Sequence, residues 1–307
     1  MAFCIDPGEP VARAVRGVVE EQLVSAVHEA RDTGCNPHTA VHEVRKRCKK
    51  MRGVLRLARK ALGKTYAKEN ACFRDAARNL SGTRDATALF ECYERVCHQH
   101  AGNMDPLEFA PVRTGLVARR DAAATQTGDV RAALDEVAAA LDAARARLQD
   151  WPFKAAGFDA LGPGLARTYR RGRKGMKKAY DTQKGTAFHE WRKRVKYHRY
   201  HLALLRNTWT PVVGAAFSEV KYLSDLLGEE HDITLLNKVL RERPGDFGGE
   251  SVVRDFVRIA KRQRADLRAR ARPIGLRVYA EQPASLRHRY AVYWEVHRAE
   301  RQGMWDT

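Results

Sequence analysis

The sequence contains an internal duplication, and this feature constrains the fold more than any other. The segment HEVRKRCK that begins at His42 returns 147 residues later as HEWRKRVK, beginning at His189. A second block shares this offset and pairs Leu80, Asp85, Thr87 and Leu89 with Leu227, Asp232, Thr234 and Leu236. Because two separate blocks with one offset are hard to produce by chance, we predict two copies of a unit about 150 residues long.

A stretch with proline and glycine separates the two copies. Pro152 and Gly157 lie in it, and Gly162, Pro163 and Gly164 follow closely. Since proline and glycine end helices, we expect residues 1–155 to form the first half and residues 156–307 the second. The two halves together are expected to form one domain.

Helical periodicity dominates the rest of the chain. In the first half it predicts helices at residues 11–31, 40–61, 66–80, 84–100 and 128–149. In the second half it predicts helices at residues 164–181, 187–207, 212–227, 231–240, 250–272 and 284–303. The sequence lacks runs of alternating Val, Ile and Thr bounded by turn residues. We therefore predict an all-α fold of two pseudo-symmetric bundles, each with four or more long helices.

The chain is strongly basic, with 56 Lys and Arg residues against 37 Asp and Glu residues and a formal net charge of +19. Folding does not require this imbalance, which opposes compaction through self-repulsion. The charge therefore indicates an anionic partner, such as a nucleic acid, a membrane surface or a phosphate polymer.

Other features argue against several of the remaining classes of protein. No apolar run is long enough to span a membrane, and the N-terminus lacks a basic region followed by an apolar one. We therefore expect a cytoplasmic protein without a membrane partner. The six cysteines include no Cys-x-x-Cys pair, so we expect reduced thiols, several of them buried, rather than a disulfide framework or a zinc site. No metal or cofactor is expected.

The basic residues follow the spacing of single helix faces. At 100° per residue, a helix starting at His42 places six of them within about 120° of arc: His42, Arg45, Lys46, Lys49, Arg52 and Arg56. The second copy repeats this face with His189, Arg192, Lys193, Lys196 and Arg199. A third face carries Arg167, Arg170, Arg171, Lys174, Lys177 and Lys178, and a fourth run carries Arg254, Arg258, Lys261, Arg264 and Arg268. The opposite faces are apolar, with His198 in the position of Met51.

The signs of the charges on these faces indicate a ligand. A solvated helix face usually mixes acidic and basic residues, because like charges at i,i+4 cost a few tenths of a kcal/mol. Here cations recur at i+3, i+4 and i+7 with almost no acid between them, so we predict polyanion-binding faces. Imidazoles beside so many cations should be neutral at pH 7. We therefore expect His42 and His189 to hydrogen-bond phosphate rather than act as catalytic bases.

The His-Glu-x-Arg-Lys-Arg-x-Lys blocks at 42–49 and 189–196 resemble the signature of the CHAD family, the conserved histidine α-helical domain. Two more segments are similar to family motifs, GLxxTYRRGRK at 164–174 and LxxLLGEEHD at 223–232. The resemblance covers roughly residues 10–300. It implies two pseudo-symmetric four-helix bundles with a basic channel between them that binds inorganic polyphosphate, and association with polyphosphate granules.

Carried over by position, the resemblance makes eight residues polyphosphate ligands: His42, Arg45, Lys46, Lys49, His189, Arg192, Lys193 and Lys196. Arg52 and Arg199 extend the track. Some members of the family carry a fused triphosphate-tunnel domain with a Glu-x-Glu-x-Lys motif, which this chain lacks. We therefore expect a stand-alone binding protein rather than an enzyme.

Nucleic acid is the main alternative ligand. It satisfies the charge requirement, and Tyr169, Trp191, Tyr197 or Tyr200 could stack on bases. Tyr169 and Trp191 lie on predicted apolar faces, however, and no recognisable nucleic-acid-binding signature is present. We therefore expect nucleic acid to be a weaker competitor.

Catalysis is a further alternative. A neutral histidine could accept a phosphoryl group, and the pair His231-Asp232 is similar to a metal-binding dipeptide of some phosphohydrolases. The first copy has Arg84-Asp85 at these positions. We expect Asp85 and Asp232 to cap helices or to pair with nearby cations instead.

Overall fold

The computed structural model of the chain describes residues 3–80, 84–103, 105–124 and 127–304. Its helices are α1 (Val11–Arg31), α2 (Pro37–Leu57), α3 (Arg59–Leu62), α4 (Thr65–Asn79), α5 (Arg84–Gln99), α6 (Ala110–Ala124), α7 (Thr127–Ala146), α8 (Gly162–Thr182), α9 (Gly185–Leu204), α10 (Thr210–Glu242), α11 (Gly249–Val278) and α12 (Pro283–Arg301). No strand occurs in these ranges, so the predicted all-α fold is confirmed. None of the helices described combines the length and apolarity needed to cross a membrane.

The ends of two basic helices follow from local sequence. Asn36 precedes α2, and its side-chain oxygen accepts a hydrogen bond from the backbone N–H of His38 at 2.9 Å. Pro37 then occupies the first helical position, where a missing N–H costs nothing. The helix α8 ends at Thr182, and the next residue, Gln183, adopts a left-handed conformation with φ of 54°, which terminates the helix.

Several predicted helix boundaries were wrong. The helix predicted at residues 40–61 ends at Leu57 and is followed by the short helix α3, and the helix predicted at residues 250–272 continues to Val278. Residues 212–227 and 231–240 form one helix, α10, of 33 residues. The segment between them stays helical because Glu230 is buried there and held by Arg264 and Arg268 of α11. The helix α6 was not predicted, and its position depends on a distant contact. A Cβ on Gly115 would overlap the backbone carbonyl of Asp246, so this glycine lets α6 pack against the 3-10 turn at Pro244–Phe247.

The helices pack in two neighbouring groups. In one group α1, α2, α4 and α7 contact one another, and in the other α8, α9, α10 and α11 pack in sequence, with α12 against α8. The groups meet where α2 contacts α9 and α8, and α5 packs against α10 and α6. The duplication and the boundary at residue 155 stay predictions from the sequence.

The predicted apolar faces are buried. The buried residues of α2 include Val41, Val44, Cys48, Met51 and Leu55. Those of α9 include Phe188, Trp191, Val195 and Leu202, and Leu205, which follows the helix, is also buried. His198 is also buried, as its alignment with Met51 predicts. Burial raises the pKa of the Cys48 and Cys92 thiols to about 12, so both are protonated at neutral pH.

Gly164 allows α8 to pack on the end of α2, and its replacement should destabilise the fold. A Cβ at this position would overlap the carbonyl oxygens of Arg56 and Leu57. We expect Gly164→Ala to lower the free energy of unfolding by about 3 kcal/mol, the cost of overpacking. Gly17→Ala is the matched control, because Gly17 is exposed in α1 with nothing within 4 Å of its Cβ position. It should raise stability by up to about 1 kcal/mol. Equal effects of the two substitutions in urea denaturation would contradict this packing.

Candidate anion-binding site

The basic helices α2 and α9 touch each other directly. At their crossing a Cβ on Gly53 would lie 3.0 Å from the Cβ of Tyr200, and Nε2 of His201 lies 3.2 Å from the carbonyl oxygen of Gly53. Close by, the Arg56 guanidinium lies 3.9 Å from the ring centroid of Tyr197. The two predicted basic faces therefore belong to helices in contact, which concentrates positive charge.

Three arginines of α2 are oriented by uncharged acceptors. Arg45 donates a hydrogen bond to the carbonyl oxygen of Leu80 at 2.7 Å. Arg52 and Arg56 both donate to the side-chain oxygen of Asn70 on α4, at 3.3 and 2.9 Å. A carbonyl or amide oxygen fixes a guanidinium without neutralising it. These acceptors therefore orient the three side chains without themselves supplying a negative charge.

The remaining members of the α2 face have a different environment. Lys46 pairs with Glu43 at 2.8 Å, and Nε2 of His42 lies 3.6 Å from the same carboxylate. The hydrogen bond from Lys46 lowers the pKa of Glu43. Lys49, which comes after Arg45 and before Arg52 along this face, is half-buried. Glu43 thus offsets part of the charge of this face.

The α9 face is turned towards α10. Lys193 pairs with Glu190, and Arg199 lies 3.6 Å from Asp225. Arg192 is near Asp232, which is itself paired with Arg95 of α5 at 3.4 Å. Burial lowers the pKa of Arg192, because partly dehydrated surroundings disfavour the charged guanidinium. Lys196 of the same face is half-buried.

His189 forms a pair with a histidine that was not predicted to be in the site. Its Nδ1 lies 3.2 Å from Nδ1 of His231 on α10, and the ring centroids are 4.2 Å apart. Burial, with Lys193 and Arg192, lowers the pKa of His189. Burial and the neighbouring His189 lower the pKa of His231 to about 3. His189 is therefore neutral at pH 7, as predicted, and His231 is a further site residue that sequence spacing did not reveal.

The prediction for Asp232 is confirmed in its ion-pairing form, since this residue pairs with Arg95. The side chain of Asp85 lies outside the part of the chain that the structure describes. Among the described residues, no group of three His, Cys, Asp or Glu side chains is arranged to hold a metal ion.

The third basic face, on α8, is divided between two surroundings. Arg171 is near Arg194 of α9, whereas Arg167 and Arg170 line a groove beside α12. Lys177 pairs with Asp181 at 2.7 Å. Within the described ranges no carboxylate pairs with the other five cations of this face, Arg167, Arg170, Arg171, Lys174 and Lys178. The α8 face therefore carries the least compensated charge of the three.

Arg194 is a site residue that the sequence analysis missed. The aligned residue of the first copy, Arg47, forms a close ion pair with Glu29 of α1, at 2.6 Å. Arg194 lies near Arg56 and Arg171, and it contacts Glu190 at 3.3 Å. Residues 165–180 contain no acid, so α8 offers no counterpart of Glu29. The lack of acidic residues in this segment was the sequence signal that could have identified Arg194 as a site residue.

The fourth basic run does not join the site. Arg264 and Arg268 both bind the buried carboxylate of Glu230, at 3.0 and 2.6 Å. Arg258 pairs with Asp255 at 3.0 Å. Arg264 and Arg268 thus hold α11 against α10, whereas the Arg258–Asp255 pair lies within α11.

A family model described as CHAD domain matches residues 17–241 of the chain. The matched range contains the basic faces of α2, α8 and α9 and the His189–His231 pair. Comparison with curated proteins finds no match.

The buried histidines of α9 should make stability depend on pH. Burial lowers the pKa of His198 to about 4 and that of His201 to about 3, whereas histidine in an unfolded chain has a pKa of about 6.5. Below pH 6.5 the unfolded chain binds protons that the folded chain does not, so stability falls as the pH falls from 6.5 towards 4. His198→Met, which copies the aligned Met51, removes one of these protons. It should reduce the slope between pH 6 and 4.5 by about 1.4 kcal/mol per pH unit.

Urea unfolding of both proteins at several pH values measures this slope. An unchanged pH dependence in His198→Met would show that His198 is not neutral in the folded protein.

Proposed function

Because the chain belongs to the CHAD domain family, we propose that it binds inorganic polyphosphate on the basic faces of α2 and α9. The observation that carries the proposal is the contact between these helices at Gly53 and Tyr200, together with the proximity of Arg56 of α2 to Arg194 of α9. Arg52 and Arg56 are oriented by the uncharged side-chain oxygen of Asn70, and Arg45 donates to the carbonyl oxygen of Leu80.

The chemistry of polyphosphate fits these side chains. An arginine can grip two phosphate oxygens through parallel hydrogen bonds, while a lysine acts as a mobile point charge. In the proposed complex the polymer lies in a channel between the two halves, with His42 and Lys49 on one side and His189 and Lys196 on the other. The histidines donate hydrogen bonds to phosphate oxygens and take no part in covalent chemistry. Attachment to polyphosphate granules then follows from binding alone.

The aromatic residues near the site favour polyphosphate over nucleic acid. Tyr169, Trp191 and Tyr200 are buried in the core, so their rings are not available to bases. The ring of Tyr197 is covered by the Arg56 guanidinium. Single-stranded nucleic acids gain roughly 1–3 kcal/mol per base by stacking on exposed aromatic rings. The buried rings of Tyr169, Trp191 and Tyr200 offer no such gain, whereas the cations of α2 and α9 can bind the phosphate groups of polyphosphate.

Reversing the charge of one lysine on each helix should abolish binding. We expect the double substitution Lys49→Glu with Lys196→Glu to weaken long-chain polyphosphate binding by roughly 100-fold at low salt. The control, Arg13→Glu with Lys238→Glu, makes the same change in net charge at exposed positions on α1 and α10. It should weaken binding by less than about threefold, since remote charges are screened. Fluorescence anisotropy measures affinity, and circular dichroism checks helicity. Equal losses of affinity in the two variants would show that α2 and α9 do not form the binding site.

Binding should also take up protons. A phosphate beside the His189–His231 pair raises the pKa of both imidazoles from their lowered values, because a nearby anion favours the charged form. Between the free and bound pKa values the complex holds more protons, so affinity should increase as the pH falls from 7 to 5.5. Calorimetry in two buffers of different ionisation enthalpy counts these protons. His189→Gln should reduce the proton uptake. If the unmodified protein takes up no protons on binding, the His189–His231 pair does not contact the ligand.

A further inference from the structure

A second basic surface lies beyond the carboxyl end of α2. An open groove of 850 Å³ runs between α8 and α12 and reaches α3. Six basic residues line this groove, which we call the α8–α12 groove: Arg59, Lys60, Arg167, Arg170, Arg287 and His288. Asp159 is the one acid among its described lining residues. Three separate helices thus bring cations to one concave surface.

Most of this charge is not offset by an acid. Arg287 pairs with Asp159 at 2.8 Å, and both side chains are exposed. In the part of the chain that the structure describes, no carboxylate pairs with Arg59, Lys60, Arg167 or Arg170. Holding four like charges around one groove is unfavourable unless an anion enters it. The groove therefore has the charge expected of an anion-binding surface.

The other lining residues indicate which anion fits. They are small or lack polar side-chain atoms: Gly63, Pro163, Gly164, Ala166, Ala284 and Ala291. Among the described residues, no ring of Phe, Tyr or Trp and no side-chain amide or hydroxyl group lines the groove. Apart from Asp159, its polar side chains are guanidinium, ammonium and imidazole groups, which suit phosphate oxygens.

The groove is continuous with the basic surface of α2. The backbone of Gly164, on its floor, packs against the carbonyl groups of Arg56 and Leu57 at the end of α2. Arg59 follows Arg56 by about one helical turn. On the other side of α8, Arg171 is near Arg194 of α9. The helix α8 therefore borders both the α2–α9 surface and the groove.

We propose that the α8–α12 groove binds a second segment of the same polyphosphate chain that lies on α2 and α9. This inference rests on the proposed function. A long chain engages both surfaces at once, and a short one occupies each surface separately. Because joining two binding events raises the apparent affinity by roughly 10²-fold or more without any new contact, the groove makes the protein select long chains.

The test compares two ligands, tripolyphosphate and long-chain polyphosphate. The variant Arg59→Gln with Lys60→Gln and Arg287→Gln removes three groove cations and none from α2 or α9. The control Arg13→Gln with Arg119→Gln and Lys238→Gln removes three exposed cations elsewhere. We expect the groove variant to lose at least about tenfold in affinity for the long chain. Its affinity for tripolyphosphate at the α2–α9 surface should change by less than about twofold. Its salt dependence, the slope of log K against log salt, should become shallower by about 2.

The outcomes separate the two proposals. If the unmodified protein fails to bind long-chain polyphosphate, the proposed function itself is wrong. If it binds and the groove variant matches the control in affinity and salt dependence, the groove takes no part and the present inference is overturned. An equal loss for both ligands would also overturn it, because the groove would then be the main site. Thermal unfolding of each variant excludes misfolding as the cause.

Discussion

The crossing of α2 and α9 is the contact on which the rest of the structure depends. Gly53 allows a close approach, because a Cβ at this position would lie 3.0 Å from the Cβ of Tyr200. The hydrogen bond between His201 and the carbonyl group of Gly53 then holds a neutral imidazole in the interface. Close packing of two strongly basic helices costs electrostatic energy, which the buried apolar faces of both helices offset. The fold thus keeps these cations close together despite their mutual repulsion.

The arginines of the structure differ in the kind of acceptor that binds them. Arg47, Arg264 and Arg268 bind the carboxylates of Glu29 and Glu230 and serve the fold. Arg52 and Arg56 are held by the side-chain oxygen of Asn70, and Arg45 donates to the carbonyl oxygen of Leu80. Along α8, five of the six cations of the basic face have no carboxylate partner within the described residues. This difference in acceptor, more than the number of basic residues, separates structural cations from those proposed to bind phosphate.

The helices and their buried faces could be predicted from the sequence, because periodic apolar residues determine both. The start and end of α1 coincide with the prediction. The helix α6 could not be found, because its position depends on the contact of Gly115 with the backbone of Asp246. His231 and Arg194 were missed for a related reason. Their roles depend on which residue faces them across a helix pair, and spacing along one helix does not contain that information.

The central claim is that these faces recognise phosphate chains rather than bases. A competition at physiological salt tests it most directly, with labelled long-chain polyphosphate bound to the protein and unlabelled polyphosphate, single-stranded RNA or duplex DNA added at equal phosphate concentration. The account predicts that polyphosphate displaces the label at a concentration at least about tenfold lower than either nucleic acid, since the buried aromatic rings give bases nothing to stack on. Displacement by RNA or DNA at an equal or lower concentration would contradict it.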